Sequence, residues 1–258
     1  WWDLGAVLSR TEHVTTPTPA AAGLLREQGF AKPVEPVSCG VDLAGFSPLD
    51  GGAASKRRLR ARLGVPDRTT VLFVGRLDEE KRAEELVRAT ARTASAQLLL
   101  AGHGAYRRSL EELAVAEGVA DRVVFLGFVS QEDLPDVYRC ADVFAIAGVA
   151  ELQSIATLEA MASGLPVVAA DAMALPHLVE EGRNGYLYRP GSPEELAARI
   201  EDVVADEGGR LRMGEHSRAM ASRHRLEDSL ERFERIYLEA AEGTAVPASA
   251  AAGAVLSG

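Results

Sequence analysis

Residues 70–102 read TVLFVGRLDEEKRAEELVRATARTASAQLLLAG. TVLFVG (70–75) is a short apolar run rich in β-branched residues, and AQLLLAG (96–102) is a second apolar run. Between them, KRAEELVRATART (81–93) places its apolar residues at helical spacing. Strand, helix and strand in that order predict a parallel crossover unit. Both strands are continuously apolar, not alternating, as expected of strands covered on both faces.

The same rhythm continues outward. DRVVFLG (121–127), DVFAIA (142–147), PVVAA (166–170) and NGYLYR (184–189) read as four more strands. AYRRSLEELAVAEG (105–118), QEDLPDVYRC (131–140) and SIATLEAMASG (154–164) read as helices between them, and a helical run begins at Pro193 and continues with breaks to about residue 242. The fold class that follows is α/β: a doubly wound, parallel, Rossmann-like sheet.

Composition narrows the function. The chain has 258 residues, enough for one large domain or for one domain and part of another. Its formal net charge of −10 argues against nucleic acid as the main partner. No apolar run approaches the roughly 18 to 20 residues that a membrane span needs. The first residues, WWDLGAVLSR, lack the basic start of a secretory signal. The two cysteines, Cys39 and Cys140, lack metal-ligand spacing, which predicts a reduced, cytoplasmic setting.

In an open α/β sheet, ligands bind beyond the carboxyl ends of the strands, so those loops hold the candidate residues. After the first strand of the rhythm comes GRLDEEK (75–81), with Gly75, Arg76 and Lys81. It contains neither GxGxxG nor a Walker A loop, which removes the main support for NAD or ATP. Two cations here suit phosphate oxygens. On spacing alone, solvated charges paired with Asp78, Glu79 or Glu80 are the commoner arrangement. After the second strand comes AGHG, with Gly102 and His103 in a tight turn. After the fourth, ELQSIATLEAMASG (151–164) carries two glutamates in apolar surroundings, Glu151 and Glu159. Ser154 suits an N-cap, so the amides of Ser154, Ile155 and Ala156 would face a phosphate. Glu159 lies one turn inside the helix and needs a hydrogen-bond partner, either a ligand hydroxyl or neighbouring backbone.

VGRLDEEK, AGHG, VVFLGFVS, the two glutamates running into EAMASGLPVVA, and EEGRNGYLY together resemble the donor-binding half of a glycosyltransferase. The ordered series is similar to retaining, nucleotide-sugar-dependent enzymes of the GT-B fold (family four, glycosyl transferases group 1), over residues 33–240. The resemblance implies that Arg76 and Lys81 hold the donor diphosphate, that Glu151 contacts the transferred sugar and that Glu159 binds the ribose. It implies that the backbone at Phe128 and Val129 packs on the base, and that Gly75, Gly102, His103, Gln153, Ser154 and Ile155 line the donor site. The implied donor is a UDP- or GDP-sugar, with no cofactor and no metal. The implied acceptor is a sugar or glycolipid, with the option of peripheral membrane association.

The chain departs from the pattern in places. Leu152, Gln153 and Ser154 stand where Gly or Ser, then Phe, then Gly are usual, and Ala147-Gly148 replaces Pro-Ser. Gln153 is expected to bond the sugar or a lipid-linked acceptor, and the Ser154 hydroxyl to reach the phosphate.

The expected organisation is a remnant of an acceptor domain (1–38), an interdomain linker (39–48), a donor domain (49–225), a crossing helix (226–242) and a disordered tail (243–258). Residues 1–48 are too few for a core of their own on this reading and should pack on the rest of the chain. The crossing helix should expose an apolar stripe at Leu230, Phe233 and Tyr237. The chain is then the C-terminal part of a longer, weakly active or inactive enzyme fragment. A nucleotide-sugar epimerase or sugar synthase, a non-catalytic nucleotide-binding module, and a ligand-free structural domain are the alternatives.

Overall fold

The computed structural model of the protein describes residues 2–94 and 96–242. The tail expected at 243–258 lies outside the described residues. The chain opens with α1 (Trp2–Leu8), β1 (Thr15–Thr16), α2 (Pro19–Glu27) and β2 (Glu35–Pro36). Thr18 caps α2 by accepting from the Ala21 amide, and Pro19 stands at its first turn, where no amide proton is needed. β1 and β2 pair in parallel, so this is a miniature crossover unit. Contrary to the sequence expectation, it has a small core of its own: Val14, Ala22 and Val34 are buried, with Leu8, Leu25 and Phe30 against them.

The main domain follows. Its elements are α3 (Gly52–Leu63), β3 (Thr70–Val74), α4 (Ala83–Arg92), β4 (Gln97–Ala101), α5 (Arg107–Ala116), β5 (Val123–Gly127), α6 (Leu134–Cys140), β6 (Val143–Ile146), α7 (Ile155–Ala162), β7 (Val167–Ala170) and β8 (Gly185–Tyr188). Three helices close the described chain: α8 (Pro193–Val204), α9 (Glu207–Ala221) and α10 (Leu226–Ala241). The six apolar runs are the six strands, all parallel, in the order β5-β4-β3-β6-β7-β8. Leu98, Leu99 and Leu100 are fully buried, as are Val143, Phe144 and Ala145, because helices cover both faces.

Helix α3 was not read from the sequence. Its segment, GAASKRRLRARL, is too charged for an apolar stripe to show. It is held instead by a buried carboxylate. Asp142, just ahead of β6, accepts from the Thr70 amide at 2.8 Å and pairs with Lys56 at 2.9 Å and with Arg60. Burial pushes the Asp142 carboxyl up, but Lys56 and Arg60 outweigh it and hold the group below its ordinary value.

Helix α10 returns to the N-terminal unit. Val41 bonds across to the start of the helix, its N–H donating to the His224 carbonyl and its carbonyl accepting from Leu226. Arg232 forms a two-pronged pair with Glu35, the first residue of β2. Leu230 and Tyr237 are exposed, as the stripe requires, and so is Leu238. Phe233 is half-buried instead, so the exposed stripe is narrower than its spacing suggested.

Candidate functional site

The strand order reverses between β3 and β6. The chain moves outward from β3 through β4 to β5, then returns to place β6 on the other side of β3. At such a switch point the loops after the two central strands part and leave a crevice. Here those loops are 75–82 and 147–154.

The two loops meet through one ion pair. Lys81 Nζ lies 2.7 Å from Glu151 Oε1, with side-chain exposures of 23% and 12%. Burial on this scale makes the pair more than a surface contact, because each group would be poorly solvated without the other. Loop 147–154 folds tightly around the glutamate. A Cβ added at Gly148 would lie 3.0 Å from Glu151 Oε1, and the Glu151 carbonyl accepts from the Ala174 amide. Arg76 behaves differently. It pairs with Asp78 at 2.7 Å and with Glu80 at 2.8 Å and is two-thirds exposed, which is the arrangement that spacing alone favoured.

The glycines set how closely the neighbouring loops approach. The Gly75 amide donates to the Ala101 carbonyl, and the Leu77 amide to the His103 carbonyl. A Cβ at Gly102 would stand 1.8 Å from the Gly75 carbonyl oxygen, and one at Gly104 would stand 2.3 Å from that of Leu77. Only residues without a side chain allow this backbone-on-backbone contact. On the far side, the His103 ring meets Phe128 edge-on, with centroids 6.0 Å apart. Phe128 is 76% exposed at the carboxyl edge of the sheet, and Val129 beside it is half-buried.

Helix α7 starts at this crevice. Ser154 Oγ accepts from the Thr157 amide and from the Thr157 hydroxyl. The Ser154 side chain is therefore a buried cap whose oxygen accepts twice, which leaves its own proton as the group that could reach a phosphate. The amides of Ile155 and Ala156, in the first turn, have no intrahelical acceptor and carry the positive end of the helix dipole. The Ile155 side chain is 47% exposed.

Glu159 has a partner that the sequence reading missed. Tyr138 in α6 donates its hydroxyl proton to Glu159 Oε2 at 2.7 Å. Burial pushes the Glu159 carboxyl up, and the tyrosine bond opposes that shift. Burial, with the Glu159 charge adding to it, raises the Tyr138 hydroxyl well above its ordinary value, so tyrosine is the donor. A buried tyrosine needs a hydroxyl partner, and Tyr138 in an amphipathic segment was the available signal. Gln153 departs from its expected role. Its Oε1 accepts from the Cys39 amide at 2.6 Å and its Nε2 donates to Ser38 Oγ at 2.9 Å, so the amide is engaged by the linker.

A protein-family model described as glycosyl transferases group 1 matches residues 55–220. The chain belongs to this family. The matched span covers the domain from α3 to α9, and so includes every loop of the crevice. Among its relatives is the D-inositol 3-phosphate glycosyltransferase of Salinispora arenicola, 33% identical over 251 residues, covering 91% of this chain and 56% of that protein. Sucrose-phosphate synthase from Thermosynechococcus elongatus has the same fold, with a TM-score of 0.85 and 29% identity over 93% of this chain and 61% of its own. Anabaena HepE, solved in complex with UDP-glucose, aligns with a TM-score of 0.81 and 26% identity, over 89% of this chain and 64% of its own. The chain spans about half the length of the curated relatives it matches. Among the described residues, no helix is long and apolar enough to cross a membrane.

Proposed function

We propose that this group 1 glycosyltransferase chain binds a nucleotide-diphosphate sugar in the crevice between β3 and β6, for retaining transfer of its hexosyl group to an acceptor hydroxyl. The observation that carries the proposal is the Lys81–Glu151 pair, which joins the two switch-point loops beside the start of α7. HepE was solved with UDP-glucose, which supports UDP as the first nucleotide to test.

Each group has a task in this reading. As the glycosidic bond breaks, negative charge grows on the leaving β-phosphate. A fixed cation at Lys81 and the α7 amides stabilise that charge more than the ground state. Lys81 would exchange part of its contact with Glu151 for phosphate oxygen, which frees Glu151 to accept from sugar hydroxyls. Arg76 would leave Asp78 and Glu80 to close on the phosphates. Glu159, fixed through Oε2, would offer Oε1 to the ribose. The base would rest by Phe128 and Val129. No metal enters this scheme, because side chains and amides neutralise the diphosphate. The acceptor would be a sugar or glycolipid hydroxyl, with action in the cytoplasm or at the membrane's inner face.

Calorimetric titration with UDP, GDP and ADP tests the reading. One nucleotide should bind at micromolar to submillimolar levels, and Arg76→Ala/Lys81→Ala should abolish that binding. Absence of binding by the folded wild-type chain to all three would overturn it.

A further inference from the structure

We propose that Gln153 is a positioning residue that couples the donor-site loop to residues 38–40, where the linker begins, so that occupancy of the site is felt there. The proposal rests on the donor-site reading above. Three consecutive residues of the loop engage three different parts of the molecule. The Glu151 side chain meets Lys81 beyond β3. The Leu152 carbonyl accepts from Thr18 Oγ1 at 2.9 Å, at the cap of α2 in the N-terminal unit. Gln153 holds the linker at two points, the Cys39 amide and the Ser38 hydroxyl. Planar peptides fix the spacing between successive residues, so a ligand that shifts the backbone at Glu151 passes that shift to Leu152 and Gln153.

The linker is held on its other side too. Ser38 Oγ accepts from Gln153 and from the Gly40 amide, so its own proton points to His224 Nδ1, 3.1 Å away. That bond needs an unprotonated Nδ1. Burial, with the Arg223 charge adding to it, holds His224 below its ordinary value. Gly40, with φ of +77°, lies so close to α10 that a Cβ would approach Leu226 Cα to 2.6 Å. The linker thus has little slack between the loop and the start of α10. A side-chain amide can accept from one linker atom and donate to another, which no apolar side chain can do.

Cys39 offers a reporter. It is exposed, whereas Cys140 is buried and its thiol is pushed up to about 12, chiefly by burial. Dithionitrobenzoate should therefore label Cys39 selectively in the folded chain. Labelling rates would be measured with and without saturating UDP. UDP should change the wild-type rate by about three-fold or more, the scale of coupling between contacting residues. In Gln153→Ala the response should vanish while calorimetry still detects bound UDP. Gln153→Glu, which keeps an acceptor for the Cys39 amide, should restore part of it. Ser38→Ala breaks the same link from the linker side and should also blunt it, which covers a Gln153→Ala chain that fails to fold. A wild-type rate indifferent to bound UDP overturns the proposal, as does an equal response in Gln153→Ala. If GDP or ADP binds in place of UDP, that nucleotide is used instead; if wild type binds none of the three, the donor reading fails and a ligand-free comparison decides the coupling. Lys81→Ala should alter Cys39 labelling in the wild-type background and not in Gln153→Ala; identical shifts in both backgrounds overturn the coupling as well.

Discussion

Lys81 and Arg76 sit five residues apart in one loop and face opposite demands. Lys81 is partly buried against a carboxylate across the crevice, while Arg76 is exposed among its own loop's acids. Arg76→Ala should leave stability within about 0.5 kcal/mol of wild type, as exposed pairs contribute little. Lys81→Ala should weaken UDP binding roughly ten- to a hundred-fold, the loss of one charge-assisted hydrogen bond. Thermal melts and calorimetry on the two variants separate these effects. Tyr138 and Glu159 give a pH-dependent case. The Glu159 carboxyl is raised by burial, so its contribution to stability is present below the ordinary value of 4.5 and is lost as pH rises through the raised value. Tyr138→Phe removes the bond that opposes this shift. The variant should be less stable than wild type by about 1.5–3 kcal/mol at neutral pH, and by much less near the ordinary glutamate value. Urea denaturation at the two pH values checks the difference; an equal loss at both would deny that Tyr138 supports the ionised form.

At the scale of elements, the loops of the crevice are set by glycines and caps. Gly102, with φ of +147° and no room for a Cβ, fixes the loop after β4 against the loop after β3. Gly102→Ala should destabilise by about 2 kcal/mol or more, from overpacking and an unfavourable backbone conformation together. Ser154→Ala should cost about 1 kcal/mol by removing the α7 cap, with some further loss because Thr157 Oγ1 loses its acceptor. Chemical denaturation reads both. The elements themselves were largely legible in sequence. Six continuous apolar runs became six parallel strands, because full burial on both faces leaves a pattern that one chain displays by itself. Helix α3 was not legible, since its hold is the buried carboxylate of Asp142, 82 positions beyond Arg60. For the same reason Lys81 and Glu151 could be named, and their contact could not. Gln153 was assigned to a ligand, because nothing local to it shows that the linker passes alongside.

At the scale of the whole molecule, Asp142 ties α3 to the amino edge of the central strands. Asp142→Asn should cost about 3–5 kcal/mol, since it leaves Arg60 buried with its partner weakened. The Asp142 carboxyl is held low, so its stabilisation is present above the ordinary value of 3.8 and is lost as pH falls through the lowered one. Acid denaturation of the variant should accordingly be shallower than that of wild type. The sheet order has one further consequence, for the chain as it is made. Strand β3 pairs early with β4, its next neighbour in sequence, but its other edge is filled only by β6. Until residues 143–146 leave the ribosome, an apolar central strand stands as an open edge of the kind that invites pairing with foreign strands. Closing that edge is the same event that brings Glu151 within reach of Lys81. The nascent chain thus acquires its crevice and covers the open edge of β3 together.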